Sequence, residues 1–260
     1  MKKFLLPAVI IASLLISSCS KNDDDSTPAA SVHFYLTDGP ANYDEVNIDV
    51  RSVQVHTDRD NGWQTLALIR PGIYNLNALR NGTDTLLSRA TLPAGDLSQI
   101  RLILGTDNSV VVNGQSYPLA TPSAMQSGLK FNFHQTLAAD GAYDIWIDFD
   151  AHKSVVKQGN SSYALKPVIR AYSNETDGQV KGFVLPYLAS EYVMAISNVD
   201  TFYAYPAATD GFFMFKGLAE GNYAVHISAG TASGLNDTTI TNVNVSYGHV
   251  TDLGTIILAP

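Results

Sequence analysis

The chain reads as an all-β protein built from two antiparallel β-sandwich domains, the second a seven-stranded immunoglobulin-like sandwich. Three observations predict this. From Ser31 onward apolar residues recur with a period of two rather than 3.6, which is the period of a strand with one buried face. Between these runs stand turn pairs such as Asn61-Gly62, Asn81-Gly82, Asn113-Gly114, Asp140-Gly141 and Asp210-Gly211, whose residues tolerate the positive φ of tight hairpins. The runs and turns alternate at the short spacing expected of sandwiches.

Taken in order, Val32-Phe34-Leu36 alternates with His33 and Tyr35, and Val46-Ile48-Val50 alternates with Asn47 and Asp49. Val53-Val55, Ile100-Leu102-Leu104, Val110-Val112, Phe131-Phe133 and Ile145-Ile147-Phe149 follow the same rule, and Leu165 to Ile169 reads as a further strand. Thr83 to Ala90 is the one segment with a helical look, with Leu86-Leu87 on one face. The polar stretch Ser173 to Asp177 separates this block from a second. There Gln179 to Val184, Tyr192 to Ile196, Phe212 to Phe215, Tyr223 to Ile227, Ile240 to Val245 and Ile256 to Leu258 read as strands.

The N-terminus has a different character. Lys2 and Lys3 precede an apolar run from Phe4 to Ile16, and Ser17-Ser18 precede Cys19, the only cysteine in the chain. The run falls short of the roughly 20 residues of a membrane span. Basic head, apolar middle and small residues before a cysteine resemble a bacterial lipoprotein signal. That resemblance implies cleavage after Ser18, lipidation of Cys19 and attachment to the membrane through the N-terminal lipid. The predicted organisation is therefore a signal peptide (1–18), a lipidated cysteine with an acidic flexible tether (19–30), a first sandwich (31–174) and a second (175–260). The tether, Ser20 to Ala30, holds no branched apolar or aromatic residue and cannot bury surface. Lys21 followed by Asp23-Asp24-Asp25 resembles the export signal of surface lipoproteins of the Bacteroidetes, which implies an outer-membrane, cell-surface location.

Charge narrows the partners. The formal net charge is −8, and removal of Met1–Ser18 takes two lysines and no acid, leaving −10. Such a surface disfavours nucleic acid, whose affinity rests on Lys and Arg at phosphates, and disfavours anionic lipid heads. With Cys19 lipidated, no disulfide is expected.

No enzymatic motif stands out. His33, His56, His134, His152, His226 and His249 include no pair three or four apart, and there is neither a nucleophile elbow nor a phosphate-binding glycine loop. The strongest constellation is Asp144-Ile145-Trp146-Ile147-Asp148-Phe149-Asp150. On a strand Asp144, Trp146, Asp148 and Asp150 share one face, with carboxylates about 7 Å apart in steps of two residues. They need screening by a cation or by Lys153, Lys166 or Arg170. A calcium site at Asp144, Asp148 and Asp150, a glycosidase carboxylate pair and a salt-bridged strand end remain open. No other cofactor is expected. A second candidate is aromatic. Tyr192, Tyr203 and Tyr205, with Trp146 in the first block, offer flat π surfaces to sugar rings, or else pack a small core.

Two family resemblances complete the reading. Leu36-Thr37-Asp38-Gly39-Pro40-Ala41, Gly62-Trp63, Leu92-Pro93-Ala94-Gly95, Gln99 to Leu102, Gln126 to Lys130, Asp148 to Ala151 and Leu165 to Arg170 resemble, in order, the domain-of-unknown-function family numbered 4382. Gly178 to Val184, Asp210 to Phe215, Glu220 to Tyr223 and Val245 to Gly248 resemble the carboxypeptidase regulatory-like, transthyretin-related domain. The second resemblance implies a carbohydrate-binding-like fold, by analogy of architecture alone. Asp25-Ser26-Thr27, Asp84-Thr85-Leu86 and Asp237-Thr238-Thr239 resemble an O-glycosylation signal of exported Bacteroidetes proteins. The expected function is a non-enzymatic, surface-anchored binding or adhesion module for glycan. A spacer or scaffold subunit with envelope-protein partners is the alternative, and a glycan-acting hydrolase using carboxylates comes third.

Overall fold

The computed structural model describes residues 28–39, 41–59, 62–121, 128–159 and 162–260. Cys19, the signal segment and the tether up to residue 27 lie outside the described residues. Ala29 and Ala30, expected in the flexible tether, instead open the first strand, paired with Pro93 and Leu92, and Ala30 is buried. The first block contains β1 (Ala29–Thr37), β2 (Glu45–Thr57), β3 (Gln64–Leu66), β4 (Gly72–Asn75), β5 (Thr85–Pro93), β6 (Gly95–Leu104), β7 (Ser109–Val112) and β8 (Gln115–Ala120). It continues with β9 (Leu129–Leu137), β10 (Ala142–Phe149), the one-turn helix α1 (Ala151–Ser154), β11 (Val155–Lys157), β12 (Tyr163–Leu165) and β13 (Ile169–Ser173). The second block contains β14 (Gly178–Leu185), β15 (Ser190–Ile196), β16 (Thr201–Ala204), β17 (Phe212–Leu218), β18 (Gly221–Ala229), β19 (Thr238–Val245) and β20 (Val250–Ile257).

The first block pairs a four-stranded sheet, β13-β10-β1-β5, with a nine-stranded one whose main path is β11-β12-β8-β7-β2-β6-β9. The alternating residues meet between them: Val32, Phe34 and Leu36 of β1, Ile48 and Val50 of β2, Ile100 and Leu102 of β6, and Ile145, Ile147 and Phe149 of β10 are buried in one cluster. The second block pairs β17-β14-β20 with β16-β15-β18-β19, seven strands around Val184, Val193, Phe213, Val225 and Ile227. Both are all-β sandwiches, as the period of two predicts.

Three differences from the sequence reading have physical causes. The segment expected to be helical is strand β5, paired antiparallel with β1. A register shift at Phe34/Tyr35 leaves Leu87 and Ser88 buried side by side, and these adjacent buried positions mimic one face of a helix. The strand expected over Leu165 to Ile169 is two strands, β12 and β13, separated by Lys166-Pro167-Val168. Proline lacks the N–H that a continuous ladder would use. Three pairings, β1 with β10, β8 with β12 and β14 with β20, are parallel within the otherwise antiparallel sheets. Each joins strands far apart in sequence, as a parallel pair requires. The Asn113-Gly114 turn has positive φ at both residues, 52° and 74°, and closes β7 onto β8 as a two-residue hairpin.

Candidate functional site

Asp148, Asp150, Trp146 and the tyrosines that the sequence singles out lie at or beside the seam between the two blocks, while Asp144 pairs within the first block. From the first block the seam receives the end of β1 (Thr37-Asp38-Gly39), the Asn81-Gly82 turn, the end of β10 with Asp148 and Asp150, and Arg170 and Tyr172 of β13. From the second it receives Phe202 and Tyr203 of β16 and Met214 to Lys216 of β17. Between them lies a cavity of about 30 Å³, room for a water or two.

Arg170 is the centre of this seam. Its Nε donates to Asp148 Oδ2 at 2.7 Å, Nη2 donates to Lys216 O at 3.0 Å, and Nη1 donates to Gly217 O. Its guanidinium also sits 4.4 Å from the Phe202 ring centroid. One side chain thus neutralises a buried acid of the first block and satisfies two carbonyls of the second. Asn81 works the same way: its Nδ2 donates to the carbonyls of Tyr205 and Phe212, which fixes the amide orientation. Lys153 Nζ lies 2.9 Å from Asp200 of the second block and 3.4 Å from Asp150. Lys216 Nζ, from the other side, lies 3.7 Å from Asp84 and over the Trp146 ring.

The three candidate metal ligands do not converge. Asp144 pairs with His33 Nδ1 at 3.0 Å across the parallel β1/β10 pair. Asp148 is bound to Arg170. Asp150 lies just past β10 and caps α1, accepting from Lys153 N at 2.9 Å. Of the three cations expected to screen these acids, Arg170 and Lys153 do so, while Lys166 is exposed. Among the described residues no group of three or more acidic, histidine or cysteine side chains is set to hold a metal. Asp148 and Asp150 each face a protein cation, Arg170 and Lys153, and Asp144 is paired with the His33 ring instead.

Asp38 is the acid the sequence reading missed. It lies inside the resembling motif Leu36 to Ala41, but nothing in its pattern announces a buried charge. Its Oδ1 accepts from Ala151 N at 3.0 Å, while its buried Oδ2 has no partner. Burial pushes its carboxyl well above the usual range; the Ala151 N–H opposes this, and Asp148 and Asp150 add to it. Asp150 is raised by burial too, against the Lys153 N–H and ammonium.

The aromatic candidates are spent on packing. Trp146 is buried, stacked between Tyr35 at 5.4 Å and Tyr172 at 5.6 Å, and its Nε1 donates to Asp84 at 2.8 Å. Tyr203 stacks on His152 at 4.1 Å and meets Tyr192 edge-on at 5.9 Å. Tyr205 places its hydroxyl 3.4 Å from His152 Nδ1. Burial, with the neighbouring Tyr203 and Tyr192 phenols, pushes the Tyr205 hydroxyl up to about 12. All three tyrosines are half-buried. The structure brings Tyr192, Tyr203 and Tyr205 together with His152 of α1, a cross-block cluster rather than an open platform.

The sequence of the first block, read against family models, matches the one described as "Domain of unknown function (DUF4382)" over residues 29–167. The chain belongs to this family. The match takes in β1 to β12 and the acids at the seam, and ends just before Arg170. No curated protein matches the DUF4382 chain. Among solved structures it is similar to the Bacillus anthracis TIE protein at 10% identity and a TM-score of 0.23, covering 89% of this chain and 34% of that one. It is also similar to the minor pilin GBS52 of Streptococcus agalactiae at 10% identity and a TM-score of 0.22, covering 87% and 95%. A double mutant of the shaft pilin SpaA from Lactobacillus rhamnosus GG follows at 11% identity and a TM-score of 0.20, covering 90% and 98%. The chain spans about a third of the TIE protein. At TM-scores this low the likeness fixes no function.

Proposed function

We propose that this DUF4382 chain is a non-enzymatic binding or adhesion module for carbohydrate, lipid-anchored through Cys19 and displayed at the outer-membrane surface. The observation that carries the reading is the state of Asp148. This acid is neutralised by Arg170, whose remaining donors hold Lys216 and Gly217, and it borders a cavity of only about 30 Å³. A hydrolytic carboxylate needs room for a sugar and a proton to give; this one is held by Arg170 of the neighbouring strand, whose other donors reach the second block. The acids and tyrosines of the seam therefore act as a joint, and binding falls to the outer faces of the sheets. The second block is read as a carboxypeptidase regulatory-like, carbohydrate-binding-like sandwich.

The test is a glycan array probed with the full chain in the presence of calcium. Selective retention on a glycan class supports the reading, and a blank array overturns it. The spacer reading is favoured by the joint itself and by β20, an edge strand with Val250 48% and Ile257 73% exposed. Free strand edges accept further strands, so cross-linking on intact cells would then yield an envelope-protein partner. Because the seam acids face protein cations, excess chelator is expected to leave the melting temperature unchanged. A drop of several degrees would restore calcium at Asp148 and Asp150.

A further inference from the structure

The outer face of the nine-stranded sheet carries an ordered polar array. Residue pairing aligns Thr65 of β3, Gln54 of β2, Arg101 of β6 and Lys130 of β9 in one row across four strands. The adjacent row runs His56, Gln99, Asn132 over β2, β6 and β9. Three strand spacings make the first row about 14 Å wide, a span longer than one sugar ring. The side chains are locked laterally: Gln54 Nε2 donates to Thr65 at 2.9 Å, Arg101 Nη1 donates to Gln54 at 3.0 Å, and Gln99 Nε2 donates to Asn132 at 3.1 Å. Trp63 leans over this array. The Arg101 guanidinium lies 3.9 Å from its ring centroid, Lys130 Nζ 5.6 Å, and His56 meets it edge-on.

The charge on this face is the informative part. In a chain of net charge −8, Arg101 and Lys130 stand side by side with no carboxylate partner among the described residues. Arg101 Nε is unpartnered as well. Two like charges on neighbouring strands repel, and among the described residues the contacts that offset this are the Trp63 ring and the Gln54 amide rather than an acid. Gly128, with φ +93°, leaves room for the Arg101 stem where a Cβ would lie 2.5 Å from Cδ. Two acids at one end of this sheet, Asp58 just past β2 and Asp96 of β6, are occupied. Asp58 Oδ1 accepts from Asp96 N, and Asp96 Oδ1 accepts from Thr136. A held guanidinium, a free ammonium, an indole and a field of amides on one flat surface suit an anion carried on a polyhydroxylated ring.

We propose that this face binds an acidic polysaccharide, one bearing carboxylate or sulfate groups. Arg101 and Lys130 take the anionic group, Trp63 lies against the ring, and Gln54, Gln99 and Asn132 exchange hydrogen bonds with its hydroxyls. The proposal rests on the reading of the chain as a carbohydrate-binding module and gives that reading a site and a ligand class.

The experiment is calorimetric titration of the full chain with polygalacturonate, heparin, neutral dextran and inorganic phosphate, repeated for Lys130→Gln, Arg101→Gln and Trp63→Ala. Lys130 is exposed, so Lys130→Gln leaves the fold intact and carries the test even if Arg101→Gln or Trp63→Ala unfolds. The expected result is binding to polygalacturonate or heparin, and none to dextran. Lys130→Gln should weaken it at least tenfold, and raised salt should weaken it further. Acidic-glycan binding that Lys130→Gln leaves unchanged overturns the site while the carbohydrate reading survives. Equal binding of dextran overturns the acidic class, and an equal response to phosphate alone overturns the glycan. No binding to any glycan overturns both the site and the carbohydrate reading.

Discussion

Asp38 and Arg170 show how the seam spends its charges. Asp38 keeps one oxygen on the Ala151 N–H and buries the other unpartnered, so its proton is held more tightly in the folded state than in the unfolded chain. Stability from this group is present below the ordinary carboxylate pKa and is lost as pH rises through the elevated folded value. Asp38→Asn keeps an acceptor for Ala151 and removes the ionisation. Its melting temperature should gain on the parent as pH rises from 4 to 8; an equal loss at both values would refute the buried-charge account. Arg170→Ala leaves Asp148 buried without its cation, a loss of about 3–5 kcal/mol. Combining Asp148→Asn with Arg170→Met should cost less than Arg170→Ala alone in denaturant titrations. Part of this was legible. The alternation over Asp144 to Asp150 correctly demanded cations, and Arg170 and Lys153 supply them. What stayed hidden was the geometry: Asp150 leaves the strand to cap α1, and Asp144 turns to His33 on a neighbouring strand that no local pattern identifies.

At the scale of elements, β17 and β13 form the joint, and a glycine allows their approach. Gly217 has φ +65°, and a Cβ there would lie 2.3 Å from the Tyr172 ring. Its N–H donates to Asp177, and its carbonyl accepts from Arg170. Gly217→Ala combines left-handed strain with a collision. It should cost about 1–3 kcal/mol, visible as a lower denaturation midpoint and brighter exposure of the Trp146 stack in fluorescence. An unchanged midpoint would mean the contact is not tight. The strands themselves were readable because burial imposes the period of two, and Asn113-Gly114 declared its hairpin. β5 misled because a register shift buries Leu87 and Ser88 in succession. β3, β4, β11 and β16, of three or four residues each, show little period, and β3 is the strand that completes the row proposed to bind sugar.

For the whole molecule, two sandwiches with separate cores are clamped by the Lys153–Asp200 and Lys216–Asp84 pairs, the carbonyl hydrogen bonds of Arg170 and stacked rings. Tyr203 on His152 and Lys216 on Trp146 show why the tyrosine and tryptophan candidates could be listed by residue type but not assigned a role. An aromatic run that faces a partner block looks, in sequence, like one that faces a ligand. A clamped pair of blocks presents its outer sheet faces at a fixed angle, which suits either a binding surface or a spacer. The most direct measurement is scanning calorimetry of the full chain and of Arg170→Ala. If the seam acids are a joint, the parent unfolds in one cooperative transition and Arg170→Ala splits it in two. Two independent transitions in the parent, unmoved by Arg170→Ala, would contradict the joint.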